Sequence, residues 1–401
     1  MTPKILFPFT TNNIDKTYNI TEYKRFGYIK DSIEFIDTSL GNCGSFMLGF
    51  DRTDIIETVS KQSLTIPFVS GEYLSTTDAT LDLSERIYNL SNGFYSFYST
   101  SGSDAIEGAI KVAKLYNKDN NKKIVLGISE SYHGSTYLTS SVAGGSFMTY
   151  PLGRSELCRT IPRDDNGDQL LVNTVNTITQ IGAENISCLV IESCSWLGGV
   201  TVYEDSFWTG LKKLCSDNDI LLIVDDIAMC GGKTGKMLGF DFTPDIFTMG
   251  KALSSGYYPL SVCCINQKVY NKVKDSFWAH GFTYSFSLSG IYSTIKYLDI
   301  LEQESIFQNY NSIYKTSKDL FTKLSGSVIK DFTNYGLYFN LKFYPVDNID
   351  VVQKSFYKNG LNVGIQNYEW KGLRVIIPLT ADKEYFDMLE FKLCNALGHY
   401  V

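Results

Sequence analysis

The stretch from Leu221 to Ser261 holds the residues best placed to do chemistry. The apolar run Ile220–Val224 ends abruptly in two acids, Asp225 and Asp226. A glycine-rich loop follows, and a second short apolar run, Ile246–Met249, leads into a lone lysine, Lys251. In open α/β sheets, ligands bind outside the C-terminal ends of the strands. Asp225 and Lys251 are therefore expected to face one ligand as an anion–amine pair. A lysine amine attacks a carbonyl once it has lost its proton, and burial or nearby positive charge moves its pKa towards working pH. Ser101-Gly102-Ser103 lies where a β-prone run, Tyr95–Ser99, gives way to a helical pattern. There glycine lets backbone N–H groups approach an anion, and the helix N-terminus adds partial positive charge. Ser103 could equally be a plain N-cap. Tyr132 and His133 occur in SYHGST, and His133 is one of only three histidines, with His280 and His399.

These residues need a sheet to carry them. Strands are expected at Tyr95–Ser99, Ile124–Ile128, Ile186–Ile191, Ile220–Val224, Ile246–Met249 and Ser261–Ile265. Helical patterns lie between several of them. Ala105, Ile106, Ala109, Ile110 and Ala113 share one face at a 3.6-residue period. Phe207, Trp208, Leu211, Leu214 and Cys215 form a second stripe behind Asp205 or Ser206 as cap. Such alternation predicts an α/β fold with a mainly parallel sheet covered by helices on both faces. GYIKDSIEFIDTS reads as a hairpin and Asp54–Ser63 as a short helix. Past Ser287 a long helical pattern runs to Leu324; strands are expected at Gly336–Leu341 and Leu373–Ile377, and a closing helix from Asp382 to Leu397. Residues 47–288 are thus read as a large domain and 289–401 as a smaller α+β domain. Residues 1–46 are expected to pack with the small one.

The order of residues across 221–261 resembles the cofactor segment of class III aminotransferases, enzymes of fold type I that use pyridoxal 5'-phosphate (PLP). SGSDAIEGAIKVA resembles the family pattern SGSxAxExAxKxA, and the likeness covers nearly the whole chain. It implies that Lys251 forms a Schiff base with PLP and that Asp225 keeps the pyridine nitrogen protonated. That ion pair is worth roughly 4 kcal/mol at about 4 Å in an effective dielectric of about 20. By the same resemblance Gly102 and Ser103 cradle the phosphate, Tyr132 stacks on the ring and Ile227 packs behind it. Thr283, in HGFTY, reaches the phosphate bound by a neighbouring subunit, which implies a homodimer with composite sites. His133 is expected to be a structural hydrogen-bonding residue rather than a base.

Within the family, DDIA at 225–228, the apolar Ile106 and GKALSSGYYPLS resemble the diaminopelargonate synthase branch of biotin synthesis. That likeness implies 8-amino-7-oxononanoate as keto acceptor, with S-adenosylmethionine or lysine as amine donor. Phe7-Pro8-Phe9-Thr10 resembles the branch's N-terminal HPYT, so Phe9 is expected on the substrate wall in place of a tyrosine. Ser135 replaces an acid, and SLGNCGSF occupies the place of the branch's paired tryptophans. Arg374, in LRVIIPLT, resembles the arginine with which ornithine and acetylornithine aminotransferases hold a substrate α-carboxylate, a task suited to the planar guanidinium fork. The bland alternative for Arg374 is a surface ion pair. The glutamate that neutralises such an arginine is replaced by Leu197, and Trp196 with Leu197 implies an apolar pocket wall.

Bulk properties narrow the classes. The 401 residues carry a net charge of −7 and no basic run, which argues against nucleic-acid binding. Nine cysteines, an odd number without a CxxC pair, suggest neither a disulfide frame nor a zinc site and fit a reducing cytoplasm. The apolar run in MTPKILFPFT is too short for a signal peptide, and no stretch has the length of a membrane span. The leading expectation is a cytoplasmic, ping-pong aminotransferase acting on a small amine donor and a keto acceptor, without a metal. On the residues alone, three alternatives stay open: an ω-amino acid or diamine aminotransferase, a PLP aminomutase or racemase, and a PLP-fold binding protein without catalysis.

Overall fold

The computed structural model describes residues 5, 6, 8, 19–71, 74–144, 149, 152–326, 329–343, 349–366 and 372–398. Three strands open the described chain, β1 (Ile20–Lys24), β2 (Gly27–Lys30) and β3 (Ile33–Asp37), as an antiparallel meander. The central sheet follows. It is built from β4 (Tyr95–Ser99), β5 (Ile124–Ile128), β6 (Cys158–Ile161), β7 (Ile186–Glu192), β8 (Leu221–Asp225), β9 (Ile246–Met249) and β10 (Ser261–Ile265). Their spatial order is β4-β10-β9-β8-β7-β5-β6. Neighbours are parallel except where β10 runs against both β4 and β9. All residues of β7 and β8 are buried, which is why they read as unbroken apolar runs rather than alternating ones.

The helix Gly102–Tyr116 lays Ala105, Ile106, Ala109, Ile110 and Ala113 on the sheet, so Ile106 is wholly buried core. The helix Asp205–Asp217 buries Phe207, Trp208, Leu211 and Cys215. Its N-cap position is Glu204, without a side-chain bond, rather than Asp205 or Ser206.

The chain departs from the sequence pattern in three further places, two beyond the central sheet and one at its edge. The long helix expected up to Leu324 is broken: Leu288–Gln303 ends before Ser305, which has φ +50°, and Tyr310–Leu324 restarts after a tight turn at Ile306–Asn309. The single strand expected at Gly336–Leu341 is a hairpin of β11 (Ile329–Tyr335) and β12 (Tyr338–Phe343). Gly336 turns it with φ +56°, and a Cβ there would lie 2.1 Å from the Lys233 carbonyl. Edge strand β6 is not visible in the sequence pattern; its four residues, CRTI, bury only the two ends.

Three more strands complete the fold: β13 (Leu361–Asn362), β14 (Gly364–Gln366) and β15 (Gly372–Ile376). β15 and β14 extend the β11–β12 hairpin into a four-stranded sheet, whereas β13 pairs parallel with β3. The closing helix, Lys383–Leu397, is capped by Asp382. Among the described residues no helix is long and apolar enough to cross a membrane.

Candidate active site

Adjacent parallel strands β8 and β9 deliver the two central residues. Asp225 is the last residue of β8; Lys251 follows Gly250 just beyond β9, in a left-handed backbone conformation with φ +47°. Both line one cavity of about 330 Å³, together with Gly102, Ser103, Tyr132, His133, Ile227 and Trp196. Six of the expected residues, Gly102, Ser103, Tyr132, Asp225, Ile227 and Lys251, thus line this one cavity.

Asp225 is held on both oxygens. The Ile227 amide donates to Oδ1 at 3.1 Å, and His133 Nδ1 lies 2.9 Å from Oδ2. An ionised carboxylate only accepts, so Nδ1 carries the hydrogen in this pair. His133 Nε2 is 3.1 Å from Ser131 Oγ, which is also 2.7 Å from the Ile128 carbonyl; the single hydroxyl proton serves one of the two. His133 is buried, so the ring orients Asp225 rather than meeting a ligand freely.

The expected anion cradle lies at the start of the helix Gly102–Tyr116. Ser101, not Ser103, is the N-cap, accepting from the Asp104 amide at 3.2 Å. Ser103 Oγ accepts from the Ser135 amide at 3.2 Å, tying the helix to the loop after β5. A Cβ on Gly102 would lie 2.8 Å from Ile227 Cδ1, so glycine keeps this first turn, whose N–H groups lack intrahelical acceptors, open. Gly134 has φ +122°, and a Cβ there would come within 2.3 Å of Ser103 Oγ.

Several neighbours were not legible as site residues. Glu192 ends β7 as Asp225 ends β8; the two are register partners, and both line the cavity. Burial pushes the Glu192 carboxyl up to about 7; His133 opposes that shift and Asp225 adds to it. The available signal was the same one, an apolar run ending in an acid. Asp226 is buried outside the cavity wall, accepting from Ser193 Oγ at 2.5 Å and the Gly239 amide at 2.8 Å, and burial lifts it to about 7. Lys233 is fully buried, and burial lowers it to about 8. Gly41, Ser45 and Phe46 of SLGNCGSF join the wall.

The remaining expected residues lie elsewhere. Thr283 is exposed and outside the cavity of its own chain. Phe9 lies outside the described residues. Arg374, on β15, is not a surface ion pair: it is half-buried, and its Nη1 donates to Cys43 Sγ at 3.1 Å and Tyr338 Oη at 3.3 Å. Its guanidinium carbon is 4.7 Å from the centre of the Trp196 ring, and it does not line the cavity.

Comparison with known proteins decides the family. Residues 22–397 match the family model described as Aminotransferase class-III. The chain belongs to the class-III aminotransferases. It is a PLP-dependent transaminase. An uncharacterised aminotransferase, y4uB, of Sinorhizobium fredii is 29% identical over 66% of this chain and 63% of its own length. A vanillin aminotransferase of Capsicum frutescens is 26% identical over 86% of this chain and 81% of its own. The omega transaminase of Pseudomonas jessenii, solved in complex with PMP, shares the fold with a TM-score of 0.92 at 21% identity, over 98% of this chain and 96% of that one. The architecture is that of fold type I.

The residues of this transaminase fit PLP. Lys251 and Asp225 reach the same cavity, Ile227 closes against the Cβ-free Gly102, and the open first turn of a helix stands beside them. Bound there, PLP supplies an electron sink for a carbanion at the substrate carbon.

Proposed function

We propose that this transaminase takes its amino group from a primary amine with an apolar body and passes it to a keto acceptor. The observation that carries this reading is the cavity itself: Lys251 and the His133-braced Asp225 share it with Phe46, Ile227 and the Trp196 indole. With PLP bound, Lys251 would hold the cofactor and give way to the incoming amine, and its Nζ would then move the proton from the substrate carbon that bears nitrogen. Asp225 keeps a proton on the ring nitrogen, and His133 fixes the carboxylate that does so. Tyr132 and Ile227 flank the ring; Gly102 and Ser103 bind the phosphate. Thr283 completes the phosphate site of a partner subunit, which makes the working unit a homodimer.

The apolar wall supports amines without a carboxylate at the reacting end. One relative is named for vanillin, an aromatic aldehyde that lacks one. The diaminopelargonate synthase reading keeps Ala228 on the cavity wall as its support, but Ile106 faces the core and has no part in substrate choice. Neither relative named above carries the name of that branch.

The test is reconstitution followed by a donor screen of alkylamines, diamines, S-adenosylmethionine, lysine, glutamate and ω-amino acids. The purified protein with PLP is expected to be yellow, with a visible Schiff-base band that Lys251→Ala abolishes. Amine donors are expected to bleach that band. A band that no donor bleaches would overturn the reading and leave a binding protein.

A further inference from the structure

Arg374 poses a physical problem. A guanidinium drawn out of water costs several kcal/mol unless an anion or a set of acceptors meets it. Its described partners are a thiol, a phenol and an indole face, and its Nε is buried with no hydrogen-bond partner. No carboxylate is among them. Gly364, its register partner on β14, makes room for the group, since a Cβ there would lie 2.8 Å from Nε.

The Trp196 indole bears on both cations. Lys251 Nζ is 5.2 Å from its centre, the Arg374 guanidinium carbon 4.7 Å, and Tyr132 meets it edge-on at 5.6 Å. Trp196 and Lys251 line the cavity; Arg374 does not. The loop under the indole is clamped. Ser195 and Thr201 bridge it, Arg163 donates to Ser195 Oγ at 2.6 Å and Thr201 Oγ1 at 3.0 Å, and Thr333 donates to the Gly199 carbonyl at 2.6 Å. With the backbone held, the indole itself stands between the cavity and Arg374.

We propose that Trp196 is the specificity-determining residue of this site: its ring closes the cavity against Arg374, so that small carboxylates are refused while the indole is in place and bind to Arg374 once it is removed. This rests on the transaminase reading and adds the substrate class to it. A cation–π contact is worth about 0.5–2 kcal/mol, which adds to packing in keeping the indole over Arg374.

The test compares wild type, Trp196→Phe, Trp196→Ala and the double variant Trp196→Ala/Arg374→Gln, each loaded with PLP. Binding of propionate is followed by calorimetry, and KM is measured for L-alanine and for isopropylamine, which differ by a carboxylate against a methyl group. The expected result is at least about tenfold tighter propionate binding and a matching fall in alanine KM in Trp196→Ala, both lost in the double variant. Isopropylamine KM is expected not to fall, and Trp196→Phe to keep the wild-type preference. Should Trp196→Ala fail to hold PLP, Trp196→Leu replaces it with the same expected direction. Propionate affinity unchanged by removal of the indole, or a gain that survives loss of Arg374, overturns the proposal. If neither donor reacts in any variant, the wider donor screen decides the transaminase reading, whereas propionate binding still decides the gate.

Discussion

Two carboxylates side by side at the ends of β7 and β8 cannot ionise as easily as one. Glu192 carries the consequence, since burial, with Asp225 beside it, lifts it from an ordinary 4.5 to about 7. Folded protein therefore binds a proton there that the unfolded chain has already released. The contribution of Glu192 to stability is full below about pH 4.5 and is lost as pH rises through about 7. In the apo protein, Glu192→Gln is expected to raise the melting temperature at pH 8 and to flatten its dependence on pH between 5 and 8. The gain should be of the order of 1–3 kcal/mol; parallel melting curves for the two proteins across that range would refute the assignment. Asp225 and Lys251 were legible because each charge stands at the end of an apolar run. Arg374 was harder to read. Its neighbours Cys43, Tyr338 and Trp196 come from three distant segments, and only the fold brings them to it.

At the scale of elements, the site depends on how the loop after β5 packs against the helix Gly102–Tyr116. Gly134 sits at that junction with a left-handed backbone, its missing Cβ filled by Ser103. Gly134→Ala is expected to cost about 1–3 kcal/mol and to weaken PLP binding more than that loss alone implies. Titration of the apo variant with PLP, beside thermal melts, checks both; unchanged PLP affinity would place the loop outside the phosphate site. The strands of the central sheet were readable where they are buried on both faces. β6 was not, because an edge strand of four residues with a polar middle carries no apolar run. Nor was the break at Ser305, since the apolar periodicity resumes on the next helix, and only the left-handed backbone there reveals it.

At the scale of the molecule, Thr283 lies outside its own cavity although its motif points to a phosphate. A composite site gives a specific result on mixing. Thr283→Ala homodimers are expected to bind PLP weakly, and Lys251→Ala homodimers to be inactive. Refolded together, they should regain activity, because one site of each hybrid has both residues intact. Absence of recovery would mean that Thr283 serves no partner. The pairing of β13 with β3 has a different consequence. Leu361 sits opposite Ile36, so the sheet begun by β1–β3 lacks its fourth strand until synthesis has passed residue 362. On a translating ribosome, β3 waits as an open edge through the making of the entire central sheet, and a transcript cut short before codon 361 yields a product whose beginning is as unfinished as its end.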